Sequence, residues 1–205
     1  MTGDRIVRTL AAWMAPLMLL PPVLLGGEGP VALQTADPSC RDTSGSRYVD
    51  CGNGTVTDNV TGLVWLKFAA CGGGTMDFHL AHESVAGLSD LPADFPEPDA
   101  DCGLSDHSSP GEWRLPSASE WQAMVAAAAA MDCSPAITND AGTGCWDADD
   151  PGSSFRSVLS TGYWSATPEV IMWSEAYVMF LDFNGTSSSE PKSDLYRAWP
   201  VRGGQ

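Results

Sequence analysis

Six cysteines, two histidines one helical turn apart, two clusters of oxygen ligands and two tryptophans in polar surroundings are the residues of this chain equipped for chemistry. Cys40, Cys51, Cys71, Cys102, Cys133 and Cys145 can act as thiolate nucleophiles, metal ligands or disulfide staples. His79, His82 and Glu83 stand in the order His-Leu-Ala-His-Glu. On a helix that spacing puts both imidazoles on one face, where they could begin a zinc site. A third ligand at zinc spacing is missing from the sequence, so two surface histidines are expected instead. Asp50, Asn53, Asp58 and Asn59 gather oxygen ligands, and Asp147, Asp149 and Asp150 do so again beside Gly152. Calcium takes about six to eight oxygens and is the one cofactor for which ligands are at hand, the second cluster leading because it is all carboxylate. Neither cluster matches an EF-hand loop, and Asx turns in an acidic loop account for both without metal.

Nucleophilic and phosphate chemistry find little support. The chain has no Gly-x-Ser-x-Gly elbow, no phosphate loop and no dinucleotide glycine pattern, and its three histidines leave few candidates for a general base. Carboxylates are abundant, but the separation a glycosidase needs is not legible in sequence. Recognition is the better expectation. Trp146 and Trp173 are flanked by Asp, Glu, Asn and Ser, the surroundings in which a ring can stack on a sugar face while neighbours bond its hydroxyls. Trp146, Asp147, Glu169, Trp173, Glu175 and Asn184 are therefore the ligand-binding candidates, with partial burial of the two rings under a loop as the alternative.

These residues must be positioned by a mixture of strands and helices. Arg47 to Lys67 reads as β structure, with Asn53-Gly54 as a tight turn, Thr55-Val56-Thr57 as a β-branched run, a second turn at Asp58-Asn59, and Leu63 to Leu66 as a buried strand. Cys71 to Gly74 is a flexible connection, and Phe78, Ala81, Val85 and Leu88 then recur at helical spacing. Residues 89–111 turn to Pro, Asp, Ser and Gly, a long surface loop held at Cys102. Ser117 to Glu120 spells a capping box, which predicts a helix from Trp121 to Met131 through the alanine run. Cys133 to Cys145 encloses a small polar loop. Tyr163 to Thr167, Ala176 to Phe183 and Tyr196 to Val201 read as three late strands, with turns at Pro168, Asn184-Gly185 and Pro191. The class is α+β.

Arg5 and Arg8 precede an apolar run, Leu10 to Leu25, broken by Pro16, Pro21 and Pro22. That is a signal-peptide pattern, with cleavage expected between Gly27 and Ala36, and a lone membrane span would not carry paired prolines. Residues 1–36 are thus read as a signal peptide and 37–205 as one domain with no stable membrane insertion. All six cysteines fall in the exported part, where an oxidising compartment pairs them. Lys and Arg total 10 against 26 Asp and Glu, a net charge of -16. Losing the leader leaves it unchanged, since Asp4, Glu28, Arg5 and Arg8 cancel. Such a surface repels nucleic acid, anionic lipid and sulfated glycan beyond a Debye length of about 8 Å.

Five motifs in order resemble one family: Gly54-Thr55-Val56-Thr57-Asp58, Thr61-Gly62-Leu63-Val64-Trp65, Trp113-Arg114-Leu115-Pro116, Tyr163-Trp164-Ser165-Ala166-Thr167 and Pro200-Val201-Arg202-Gly203-Gly204. Together they resemble the bacterial Lcl C-terminal domain, named for the end of a collagen-like adhesin. The resemblance implies a C-type-lectin-like fold, two main helices with several short antiparallel strands, distantly similar to the formylglycine-generating enzyme group. It implies pairing of Cys71 with Cys102 and of Cys133 with Cys145, which leaves Cys40 to Cys51. Trp65, Trp113 and Trp164 sit inside these motifs, Trp121 lies in the capped helix that follows Trp113 to Pro116, and all four are expected in the core. Arg114, beside buried aromatics, is expected to form an ion pair or cap carbonyls and not to touch a ligand. Two departures matter. Formylglycine generation needs late reactive cysteines to bind copper, and no cysteine follows Cys145. No Gly-X-Y tract is present either, so trimerisation on a collagen stalk does not carry over.

The sequence thus implies an exported, non-catalytic bacterial module, secreted, periplasmic or on the cell surface, that binds a glycan or a surface protein as a lectin or adhesin does. A structural part in an envelope assembly is one alternative. A hypervariable ligand-binding scaffold, varied between Tyr163 and Arg202, is another.

Overall fold

Local rules place most of the elements. A computed structural model of the chain describes residues 40, 45–71, 74–90, 102–182 and 184–203, all within the second of two units, Leu33–Gln205. The expected signal peptide and the 91–101 stretch of the acidic loop lie outside the described residues.

The first strands are β1 (Tyr48–Asp50), β2 (Thr55–Asp58) and β3 (Val64–Leu66). Their turns form at Asn53-Gly54 and at Asp58-Asn59, as the dipeptides require. Gly54 has a φ of +84°, and a Cβ there would stand 2.3 Å from the Gly103 carbonyl oxygen, so only glycine fits. The two helices are α1 (Phe78–Ala86) and α2 (Ala118–Ala129). Asp77 caps the first, accepting from the Leu80 amide at 2.9 Å. Ser117 and Glu120 form the reciprocal capping box of the second, which therefore starts three residues before Trp121 and ends at Ala129, short of Met131. Later come β4 (Gly162–Pro168), β5 (Glu175–Phe180), β6 (Thr186–Pro191) and β7 (Val201–Arg202).

Two antiparallel sheets result, one in the order β1-β2-β3-β7 and one in the order β4-β5-β6. The late chain departs from its sequence pattern in two places. Thr-Ser-Ser-Ser-Glu-Pro, which in sequence is only the stretch between two turns, is the edge strand β6. It pairs with β5 through backbone bonds from Glu175–Pro191 to Phe180–Thr186, and its exposed face needs no apolar residues. Conversely, Tyr196 to Val201 is not one strand. Tyr196 bridges Met76, Arg197 bridges Tyr163, and Val201 pairs with Trp65 in β3, because the segment leaves one sheet to reach the other.

Between the sheets and the helices lies an aromatic core. Trp65, Trp121 and Trp199 pack with ring centres 5.1 to 5.9 Å apart, and Phe155 and Tyr163 close on Trp199. Four buried indoles find specific acceptors: Trp121 donates to the Trp164 carbonyl, Trp164 to Met76, Trp199 to Leu66 and Trp113 to the Ser108 hydroxyl. Cys40–Cys51, Cys71–Cys102 and Cys133–Cys145 are bonded, with Cα separations of 5.2, 5.5 and 5.3 Å.

Arg114 makes the expected ion pair and carbonyl contacts. Its guanidinium holds both Glu120 carboxylate oxygens, at 2.8 and 2.7 Å, and donates to the Gly203 carbonyl. Arg202 performs a parallel task, pairing with the buried Asp106 carboxylate at 3.1 Å and lying over Trp113.

Candidate recognition site

A hairpin loop between β4 and β5 gathers the most unusual surface of the described residues. Val170, Ile171, Met172 and Trp173 are 80, 81, 51 and 84% exposed. Four consecutive apolar residues in water contribute nothing to the core, which makes this run the candidate contact surface.

The loop is nonetheless ordered, by its flanks. The Glu169 amide donates to the Glu175 carbonyl at 3.1 Å and the Glu175 amide to the Met172 carbonyl at 2.8 Å, which closes the turn. The Glu169 carboxylate accepts from the Ile171 amide at 3.2 Å and from the Tyr177 hydroxyl at 2.5 Å. Hydrogen bonds from Tyr177 and then from the Ile171 amide hold the Glu169 carboxyl below the usual carboxylate range, and the same contact pushes the Tyr177 phenol up. Lys192 clamps the other side. Its amide donates to the Ser174 carbonyl at 2.7 Å, its ammonium to the Trp173 carbonyl at 2.8 Å, and that ammonium sits 5.2 Å above the Phe78 ring. A register shift in β4 between Trp164 and Pro168 leads into the loop, and there the Thr167 hydroxyl accepts from the Ala118 amide at the start of α2.

The six ligand-binding candidates do not form one face. Glu169, Trp173 and Glu175 meet at the β4–β5 loop. Asn184 is exposed in the β5–β6 turn beyond the opposite end of β5, roughly 17 Å along a six-residue strand. Trp146 and Asp147 belong to that far end, since the Leu181 carbonyl accepts from Ala136 and the Ile137 carbonyl from Trp146. Trp146 is half-buried, packed against the core, and donates to the Phe155 carbonyl at 3.3 Å. Sequence reasoning missed Val170, Ile171, Met172, Tyr177 and Lys192. The signal that could have found the first three is the unbroken apolar run in a stretch that otherwise reads as a turn after Pro168.

The oxygen clusters accept hydrogen bonds from neighbouring backbone amides and side chains. Asp147 accepts from the Asp149 amide and Asp150 from the Gly152 amide. In the other set, Asp50 takes Gly52 and Lys67, Asn53 takes Thr55, and Asp58 takes Arg47 and Val60. His79 and Glu83 are exposed on α1, while His82 is half-buried with its ring 4.5 Å from Phe78. Burial, with the charges of His79 and Lys192, pushes the His82 imidazole below its ordinary value. Among the described residues, no three His, Cys, Asp or Glu side chains come together as a metal site. A groove of about 570 Å³ beside α2 is lined by Ala123, Ala126 and Ala127 with Arg47, but that guanidinium is spent on Asp58 and the Ala123 carbonyl.

No curated protein and no solved structure matches the chain. A family model does, over residues 54–202, a span that holds both helices, the strands from β2 to β7, the apolar loop and the Cys71–Cys102 and Cys133–Cys145 pairs. The chain belongs to the Lcl C-terminal domain family, and so to a class of surface- or adhesin-associated domains.

Proposed function

We propose that this domain is a non-catalytic recognition module working outside the cytosol, which binds a glycan or a surface protein through the β4–β5 end of its second sheet. One observation carries the reading. Trp173 is 84% exposed in a loop held by side-chain and backbone hydrogen bonds, whereas Trp65, Trp113, Trp121, Trp164 and Trp199 are fully buried. A rigid exposed aromatic loses little entropy on binding and offers a large apolar face, the properties of an interface anchor.

Two further facts support it. All six cysteines are in disulfides, so no thiol is left as nucleophile or copper ligand. The three bonds and the adhesin-associated family both point to an extracytoplasmic location.

The reading is tested by presenting the purified chain to arrays of glycans and of surface proteins, beside Trp173→Ala. Retention is expected for the wild type and should fall roughly tenfold or more in the variant. Equal retention of both would move the site away from this loop. Self-assembly into defined oligomers with no retained ligand would favour the structural-component alternative.

A further inference from the structure

We propose that the Val170–Trp173 loop is a shallow, reversible anchor for an electrically neutral, zwitterionic lipid surface. The proposal goes beyond the recognition reading and rests on it in one respect, that this loop is where the molecule meets its surroundings.

The loop is the tip of a hairpin, and its four successive apolar side chains are open to water. An apolar tip of that kind needs either a matching pocket or a medium that closes around it, and a bilayer interface is such a medium. The order of side chains suits that boundary. Val170 and Ile171 are purely apolar, and Trp173, with an apolar body and one N–H donor, is the residue type that settles at headgroup depth.

Part of the backbone polarity of the tip is met from within, which suits a shallow setting at headgroup depth. A loop entering a medium of low dielectric must bring its hydrogen bonds with it, because an unpaired amide or carbonyl loses its water. Here the Ile171 amide is bonded to the Glu169 carboxylate, the Met172 carbonyl to the Glu175 amide, and the Trp173 carbonyl to the Lys192 ammonium. These partners lie at the base of the loop or beyond it.

Charge selects the lipid. Glu169, Glu175, Glu190 and Asp194 are the carboxylates near the loop and the adjoining turn, and the ammonium among them, Lys192, is consumed internally. With a net charge of -16, the molecule is repelled by anionic headgroups and tolerates neutral ones.

The experiment uses vesicles of phosphatidylcholine alone, phosphatidylcholine with phosphatidylglycerol, and phosphatidylcholine brominated along its chains. The disulfide-intact chain is expected to float with neutral vesicles, less with anionic ones at low salt, and brominated lipid should quench part of its tryptophan emission. Changing Val170, Ile171, Met172 and Trp173 together to serine should lower flotation roughly tenfold or more without changing the melting temperature, because none of these side chains is in the core. Trp173→Phe should keep flotation and abolish the quenching. Absence of flotation, preference for anionic vesicles, quenching that survives Trp173→Phe, or equal flotation of the serine variant would each overturn the anchor. Dimerisation lost in the serine variant, with no flotation, would overturn it in favour of a second copy. Ligand retention measured without vesicles reports on the recognition reading alone, so retention without flotation would sink only the lipid anchor.

Discussion

Trp173 and Trp199 share a side chain and differ in everything around it. Trp199 is fully buried, touches Trp65, Trp121, Phe155 and Tyr163, and gives its N–H to the Leu66 carbonyl at 2.7 Å. Trp199→Ala should therefore lower unfolding free energy by about 3–5 kcal/mol, and Trp173→Ala by no more than about 0.5 kcal/mol. Denaturant titration of both variants checks this. Glu120 ties stability to pH. Burial would raise its carboxyl, but the hydrogen bonds and charge of Arg114, with the Ser117 bonds, outweigh that and leave it lowered. A lowered carboxyl contributes stability that is complete above its unfolded value of about 4.3 and is lost as pH falls through the folded value. Stability measured against pH should thus decline below about 4.3 with a component that Glu120→Gln removes.

Each element owes its position to a few fixed contacts at its ends. The capping box starts α2, and the Thr167 hydroxyl ties that start to the irregular end of β4. From there the chain runs into the apolar loop, which has order without burial and takes it from Glu169 and Lys192. Glu169→Ala removes the acceptor of the Ile171 amide. Hydrogen exchange at that amide should accelerate by up to about tenfold, the equivalent of one ordinary hydrogen bond. The melting temperature should stay unchanged, because the loop contributes nothing to the core. Slowed or unaltered exchange would mean that the β-turn bonds alone order the tip.

Over the whole molecule, covalent staples and an aromatic core hold a strongly acidic chain together. The Cys133–Cys145 bond closes a segment 12 residues apart in sequence. Replacing both cysteines by serine should cost roughly 3 kcal/mol on the loop-closure estimate, read as a lower melting temperature under non-reducing conditions. The variant should keep the apolar loop intact, since that loop is at the other end of β5.

Features encoded within a few residues were legible before any fold was known. Ser117 and Glu120 start a helix through bonds three residues apart, Asn53-Gly54 turns because glycine accepts a positive φ, and the tryptophans at 65, 113, 121 and 164, which the family resemblance assigns to the core, are buried. Features that depend on distant partners emerge from packing. The serine-rich β6 becomes a strand by backbone pairing with β5, which leaves no side-chain period to read. The segment from Tyr196 divides between two sheets because Met76, Tyr163 and Trp65 lie in different places. The exposure of Val170 to Trp173 is of the same kind, since an apolar run says only that burial is favourable, and whether a neighbour is there to provide it is settled by the packing of the rest of the chain.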